Sequence, residues 1–301
     1  MKKNKNHFAA FIMTYQRNDT LEETIDTILR QTYPPEKVLI VDNDPYQGAK
    51  VVSEKLAHLP ITYFSVGYNS GPAGAAKKGL EILSKEGYEW IGWIDDDDPP
   101  EFDDCYEILI RMGEANDQYG CVGAVGQYFN EKKAISQRVS DEDLKKDGYL
   151  NVDNIAGGMS KIVRLGAVLS SNKTFDKELF YGFEELDFDL CIKKMGWLLM
   201  VDRSLSLRHR LHYDRMGIKI KRGTKKKIEK LWREYYSTRN ILYILEKNKL
   251  YQGLCIFFFR ALIKMFIGFR FGFNYGYKNM KFVGSGIFHF IIRKKGKATF
   301  F

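Results

Sequence analysis

Three short apolar runs, each stopping on a polar cluster, constrain this chain more than any other feature. His7-Phe8-Ala9-Ala10-Phe11-Ile12-Met13 gives way to Thr14-Tyr15-Gln16-Arg17. Lys37-Val38-Leu39-Ile40-Val41 ends on Asp42-Asn43-Asp44, and the run from Tyr88 to Ile94 ends on Asp95-Asp96-Asp97-Asp98-Pro99-Pro100. Such runs are apolar at successive positions, the pattern of strands buried on both faces. Between them the spacing turns helical. Thr20-Leu21-Glu22-Glu23 reads as a capping box ahead of Leu21, Ile25, Ile28 and Leu29 on one face. A helix is expected from about 48 to 57, a strand over Ile61–Phe64, and a further helix from Ala73 to Lys85. The alternation predicts an α/β chain with a doubly wound, mostly parallel sheet. Ligands of such sheets bind beyond the carboxyl ends of the strands. The three polar clusters all fall at such ends, so they predict one nucleotide-sized site.

Asp95 to Asp98 carry the sharpest chemistry. Like charges this close repel, and burial would drive them to neutralise. A hard divalent cation, Mg²⁺ or Mn²⁺, relieves that cost and keeps positions open for phosphates. The bland alternative is a solvated acidic loop, which the hydrophobic strand just upstream disfavours. A second acidic cluster, Glu184-Glu185-Leu186-Asp187-Phe188-Asp189, opens a helix predicted to stop at Met195-Gly196. Acids in a first turn are also explained by the helix dipole alone. Asn69-Ser70-Gly71-Pro72-Ala73-Gly74 is a glycine-rich turn into a helix, able to present N–H groups to a phosphate. It matches neither a P-loop nor a dinucleotide fingerprint.

Further along, Cys121–Gly126 reads as a strand, 128–154 as a loop-rich insertion, Ile162–Leu169 as a short helix and Trp197–Val201 as a last strand. The chain has 301 residues and 45% hydrophobic residues, enough for a sizeable core. Four scattered cysteines without CxxC spacing suggest reduced thiols in a cytosolic setting. The net charge of +9 hides a division. From Arg203 onward there are 24 basic and 4 acidic residues, against 23 and 34 in the remainder. A strongly basic, aromatic-rich tail on an acidic body points to an anionic surface as its partner.

The order of these motifs resembles the family 2 glycosyltransferases of GT-A fold, in particular bacterial rhamnosyl- and galactofuranosyl-transferases. The resemblance runs from about Phe8 to His212. It rests on Thr14-Tyr15-Gln16-Arg17, Gln31-Thr32-Tyr33-Pro34, Val41-Asp42-Asn43, the glycine turn, Asp95-Asp96-Asp97, Glu184-Glu185-Leu186-Asp187 and Asp202-Arg203-Ser204 before His209.

That likeness implies roles. Thr14, Tyr15 and Arg17 would lie beside the nucleotide of a UDP- or dTDP-linked sugar, and Asp42 would bond the base. Asn69 and Gly74 would sit near the ribose and diphosphate. Asp95 and Asp97 match the two acids of the family's DxD motif, with Asp96 between them at the donor. Asp95, Asp97 and His209 would hold Mn²⁺ or Mg²⁺. Gly157, Gly158 and Asp187 would border the acceptor, and Glu185, beside Glu184, matches the catalytic base. Two departures stand out. The family has Glu-Asp where this chain has Glu-Glu, and a fourth acid leaves the metal ligand open between Asp97 and Asp98.

The implied reaction is inverting, metal-dependent transfer of a sugar, galactofuranose or rhamnose, to a glycan or lipid-linked acceptor in cell-surface polysaccharide synthesis. The expected division is a catalytic domain over 1–215, with a donor half of about 1–127 and an acceptor half of 128–215. A basic helical region would follow over 216–301. Lys249–Phe273 mixes aromatic and aliphatic residues with Arg260, Lys264 and Arg270, which interrupt any span of about 20 apolar residues. Such a segment suits a helix lying in an anionic membrane interface, so a cytoplasmic, peripheral location on the inner face of the membrane is expected. Helices packed on the catalytic domain are the plainer alternative. Two rival functions are a nucleotidyltransferase acting on sugar phosphates and a non-catalytic nucleic-acid binder using the tail. The first lacks its usual glycine-rich loop after the first strand, and the second leaves both acidic clusters unexplained. No nucleic-acid partner is therefore expected, and homo-oligomerisation is left open.

Overall fold

Seven consecutive buried residues make Phe8–Thr14, β1, an interior strand of the sheet. The computed structural model describes residues 7–156, 160–171, 175–218 and 225–299. Next in sequence come α1 (Asn18–Leu29), β2 (Val38–Asp42), α2 (Lys50–Lys55), β3 (Ile61–Ser65), α3 (Gly71–Glu86), β4 (Trp90–Asp95) and α4 (Cys105–Glu114). β1 pairs in parallel with β2 on one side and β4 on the other, and β3 extends the sheet beyond β2. Alternate side chains of β1 serve two cores. Phe8, Ala10 and Ile12 pack with Leu21, Ile25 and Ile28 of α1 and with Tyr106 and Leu109 of α4. Ala9, Phe11 and Met13 face Ala75, Ala76 and Leu80 of α3. α3 comes so close that a Cβ on Gly79 would stand 2.4 Å from the Phe11 ring.

The chain continues through β5 (Tyr119–Gly123), β6 (Gly126–Asn130), β7 (Ile135–Arg138), α5 (Asp141–Leu144), β8 (Tyr149–Val152), β9 (Asn154–Ile155) and β10 (Lys161–Arg164). Then follow α6 (Leu165–Ser171), α7 (Glu184–Lys194), β11 (Leu198–Asp202) and α8 (Arg203–His212). The eight-stranded order is β3-β2-β1-β4-β10-β5-β11-β8. β10 runs antiparallel between β4 and β5, and β8 runs antiparallel at the far edge. A second, antiparallel sheet has the order β7-β6-β9.

Three local expectations change. α1 starts at Asn18 without a side-chain cap, and Thr20 lies inside its first turn, donating to the Arg17 carbonyl at 3.2 Å. The expected insertion over 128–154 builds most of β6 to β9; it reads as polar because these edge and small-sheet strands are only partly buried. Lys161–Arg164 is a strand rather than the start of a helix. Its Lys161 is fully buried and paired with fully buried Asp189 of α7, a long-range partner that local spacing does not reveal.

The C-terminal third folds as α9 (Arg233–Lys247), α10 (Tyr251–Ile267) and α11 (Phe273–Ile291). α7 is apolar on two sides: Phe188 and Ile192 join the sheet core, while Leu186 and Leu190 join Ile241, Leu242 and Leu245 of α9. α9 also reaches the turn before α7. Asn240 Nδ2 donates to the carbonyls of Leu179, Tyr181 and Gly182 at 2.9–3.0 Å. Arg239, fully buried, donates to the Leu179 and Gly296 carbonyls and to Tyr235 Oη, between the rings of Tyr235 and Tyr236. Outward, α10 and α11 leave large apolar residues uncovered: Phe259, Ile263 and Phe266 are 64%, 60% and 63% exposed, and Phe273 is 78% exposed. Among the described residues, no helix is long and apolar enough to cross a membrane.

Asn240→Ala removes the side-chain bonds to the Tyr181 and Gly182 carbonyls, each normally worth about 1 kcal/mol, while the Leu179 carbonyl keeps its bond from Arg239. We expect a loss of about 1–3 kcal/mol in urea unfolding, whereas Asn248→Ala, whose side chain bonds only within its own helix, should cost less.

Candidate active site

β1, β2 and β4 run in parallel, so their polar ends emerge at one edge. Thr14 is in register with Asp42, and Met13 with Asp95. Beyond that edge lies a cavity of about 600 Å³. Thr14, Tyr15, Arg17, Asn69, Asp95, Asp96 and Asp97 line it from the sheet side, and Glu184 and Glu185 from the start of α7. Two acidic groups almost ninety residues apart in sequence thus open on one space.

The carboxyls there differ in setting. Asp96 is tied down: Oδ2 accepts from Thr14 Oγ1 at 2.7 Å and Oδ1 from Arg17 Nη1 at 3.2 Å. Arg17 also pairs with Asp97, so one guanidinium bridges two of the acids. Asp95 is pushed up to about 8, first by burial and then by Glu185, Asp97, Asp96 and Asp98. Burial, then Glu185, holds Glu184 well above the usual carboxylate range, and its Oε2 is buried with no hydrogen-bond partner among the described residues. Glu185 is half-buried at the cavity wall. Asp98 does not line the cavity; burial and Asp97 push it up to about 6, while Arg215 pulls it down.

Several expected residues take other places. Asp42 is fully buried, and its oxygens accept from Asp44 N (2.7 Å), Ala49 N (3.1 Å) and Tyr63 Oη (2.9 Å). It shapes the β2 loop and does not line the cavity. Asp187 is fully buried against Lys247 of α9 and accepts from Asp176 N at 2.9 Å. Gly74 borders a neighbouring hollow with Asn69 and Ser70. His209 lines a second cavity with Arg138, Arg210 and Arg215. Gly157 and Gly158 lie outside the described residues.

The glycine turn is held by amides. Asn43 Nδ2 donates to the Gly71 carbonyl at 3.2 Å, its Oδ1 accepts from Ser70 Oγ at 2.6 Å, and Asn69 Oδ1 accepts from Gly71 N at 3.0 Å. Gly71 has φ +71°, and a Cβ there would stand 2.1 Å from the Phe180 carbonyl oxygen. Only glycine allows both the left-handed backbone and that approach.

A family model described as glycosyl transferase family 2 matches residues 9–165, just over half of the chain and the whole sheet edge that carries Asp95 to Asp97. The chain belongs to this family. Among curated proteins, galactofuranosyltransferase GlfT1 of Mycobacterium tuberculosis (strain ATCC 25618 / H37Rv) is 35% identical over 91 residues, and that of Mycolicibacterium smegmatis 31% over 91 residues. Each match spans 30% of this chain and 29% of the relative. Among solved structures, mannosyltransferase PcManGT from Pyrobaculum calidifontis, in complex with GDP-Man and Mn²⁺, superposes with a TM-score of 0.54 at 14% identity, covering 97% of this chain and 89% of that one. S. aureus TarS 1-349 in complex with UDP gives 0.52 at 14% identity over 89% and 72%. GalNAc-T7 with UDP, GalNAc and Mn²⁺ gives 0.53 at 13% identity over 67% and 43%. At such identities the likeness carries the fold, which is GT-A.

In this family 2 chain the cavity also has walls that spacing did not reveal. Phe180 and Tyr181 line it ahead of the acids, and Trp232 and Arg233 reach it from the start of α9. Arg233 Cζ lies 5.5 Å from the Tyr181 ring centre and 5.6 Å from that of Trp232. Its Nε is buried without a hydrogen-bond partner, and no ion pair engages it among the described residues. The order Trp-Arg in a basic stretch carries no local signal that it returns to a pocket built far upstream.

The donor set fits a hard divalent cation in one respect. Asp95 and Asp97 face a space where negative charge is crowded enough to raise Asp95 to about 8, the condition that oxygen ligands and a divalent ion relieve. Among the described residues, no group of three or more His, Cys, Asp or Glu side chains is gathered as a metal site.

Gly71→Ala places a methyl against the Phe180 carbonyl and strains φ, so the turn must move. We expect a lower melting temperature, by several degrees, with little change in far-UV circular dichroism.

Proposed function

We propose that this chain is an inverting glycosyltransferase that moves a sugar, galactofuranose or rhamnose, from a nucleotide diphosphate donor to a hydroxyl of a glycan or lipid-linked acceptor in cell-surface polysaccharide synthesis. The observation that carries the reading is the single cavity shared by Asp95, Asp97 and Glu185. The family and the partial likeness to galactofuranosyltransferases support the sugar class. That membership leaves the nucleotidyltransferase and nucleic-acid readings without support of their own.

Displacement at the anomeric carbon needs a base on the acceptor side and charge stabilisation on the leaving side. Glu185 is the base in this reading. It stands at the cavity wall, while burial, then Glu185, raise its neighbour Glu184 well above the usual carboxylate range, so the two adjacent carboxyls meet different surroundings. On the leaving side, Arg233 offers a guanidinium with no carboxylate partner among the described residues to the diphosphate, and Arg17 keeps Asp96 and Asp97 in place. Mn²⁺ or Mg²⁺, held by Asp95 and Asp97, would supply further positive charge against the diphosphate.

Glu185→Gln keeps the side-chain shape and removes the base. Turnover of a matched donor and acceptor should fall at least a hundredfold, with nucleotide affinity within about twofold of the parent chain. Normal turnover of that variant excludes Glu185 as base. Asp97→Asn should instead weaken the metal-dependent part of donor binding, read as a thermal shift with UDP or dTDP in Mn²⁺ against EDTA.

The region beyond about residue 215 suits a membrane surface. Ile256, Phe259, Ile263 and Phe266 follow helical spacing on the exposed side of α10, and exposed Arg270, Lys278 and Lys281 lie close by in sequence. An apolar helix stripe among cations fits the interface of an anionic bilayer on the cytoplasmic side. In vesicle flotation, the full chain should partition onto anionic vesicles. A Phe259→Ser, Ile263→Ser, Phe266→Ser triple variant should lose at least tenfold in partition while keeping its melting temperature. Equal partition of the two proteins defeats the proposal.

A further inference from the structure

We infer that Tyr181 determines specificity in the acidic cavity, its phenol donating a hydrogen bond to a hydroxyl of the sugar being transferred. The inference rests on the transferase reading. Tyr181 lines the cavity just ahead of the acids of α7. Its ring is packed by the start of α9. The Trp232 ring centre lies 4.8 Å away, that of Tyr236 lies 5.9 Å away, and Arg233 Cζ stands 5.5 Å from the Tyr181 ring centre. The backbone is held as well, since the Tyr181 carbonyl accepts from Asn240 Nδ2 at 2.9 Å. A side chain of two torsions packed in this way delivers its terminal oxygen to one place.

That oxygen is the part the protein leaves unused. The three tyrosines of α9 are each satisfied internally. Tyr235 Oη accepts from Arg239 at 3.0 Å, Tyr236 Oη from Ala298 N at 2.9 Å, and Tyr243 Oη donates to the His289 carbonyl at 3.1 Å. Tyr181 is half-buried among them, yet its Oη has no hydrogen-bond partner among the described residues. Hydroxyls taken out of water are normally bonded, so an open one on a cavity wall points to a ligand. Burial raises this phenol above its ordinary range; Arg233 and Arg17 oppose the rise, and Glu184 and Asp95 add to it. It therefore keeps its proton near neutral pH and acts as a donor.

Position assigns the group it meets. Glu184 stands on the acceptor side, beside the proposed base, while Asp95, Arg17 and Arg233 stand on the leaving side; all four line the cavity with Tyr181. The phenol is within electrostatic reach of both sets. In the displacement, the anomeric carbon gives up its bond to the diphosphate oxygen, which keeps the electron pair, and bonds the acceptor oxygen, whose proton passes to Glu185. What lies between the two sides is the sugar in transit, and its hydroxyls are the acceptors a phenol can reach there. A site built to bond such a hydroxyl rejects a sugar that lacks it, because the phenol is then left unmet.

The test uses the full chain and Tyr181→Phe, which keeps the ring and removes only the hydroxyl. Affinities for UDP, UDP-galactofuranose, dTDP and dTDP-rhamnose are measured by calorimetry with Mn²⁺, and folding is checked by thermal melting. Affinity for the sugar nucleotide should fall about five- to tenfold in the variant, the worth of one neutral hydrogen bond. Affinity for the bare nucleotide should stay within twofold, with the melting temperature unchanged. A role confined to ring packing moves none of these. Unchanged sugar-nucleotide affinity, or equal losses for the bare and sugar-bearing nucleotides, overturns the inference, as does parent-chain binding of the bare nucleotides alone. Failure of all four ligands to bind the parent chain strikes instead at the transferase reading.

Discussion

The turn Phe180-Tyr181-Gly182-Phe183 is the constraint on which the site depends. Phe180, Gly182 and Phe183 all have positive φ, at 65°, 80° and 69°. For two phenylalanines that is a costly backbone, held only where the surroundings over-determine it. Here Asn240 and Arg239 of α9 collect the turn's carbonyls, and Gly71 comes up beneath Phe180 with no side chain in the way. One strained turn thereby joins the glycine loop of the sheet, the acids of α7 and the first of the C-terminal helices.

This linkage gives the basic third of the chain a structural part. α9 is buried along most of its length, shares a core with α7, and carries Trp232 and Arg233 to the cavity wall. The plainer expectation, helices packed on the catalytic body, describes α9. α10 is another matter: of its 17 residues only Gly253 and Ala261 are buried. The same stretch of sequence therefore splits into a helix that completes the site and a hairpin that turns an apolar face outward.

Electrostatics follows from the same geometry. Carboxyls from β4 and α7 are pressed into one space, and the protein answers part of their charge with Arg17 while Asp95 and Glu184 are raised.

Local pattern determined the sheet's parallel half, its helices and the edge where the site lies, because successive apolar residues and strand-end polar clusters are properties of neighbours in sequence. It also marked both acidic groups and the glycine turn. It missed the strand at Lys161–Arg164, since a buried lysine is tolerable only through Asp189, twenty-eight residues away. The family likeness, not local pattern, put Asp42, Asp187 and His209 at the site; Tyr63 and Lys247, from other elements, hold Asp42 and Asp187 elsewhere, and His209 lines another cavity. Tertiary structure alone decided that Arg233 reaches the acids, that Asn240 holds their turn, and that Glu184 and Glu185, adjacent and chemically alike, meet different surroundings. Those outcomes depend on which elements pack together, and packing is set by the whole chain.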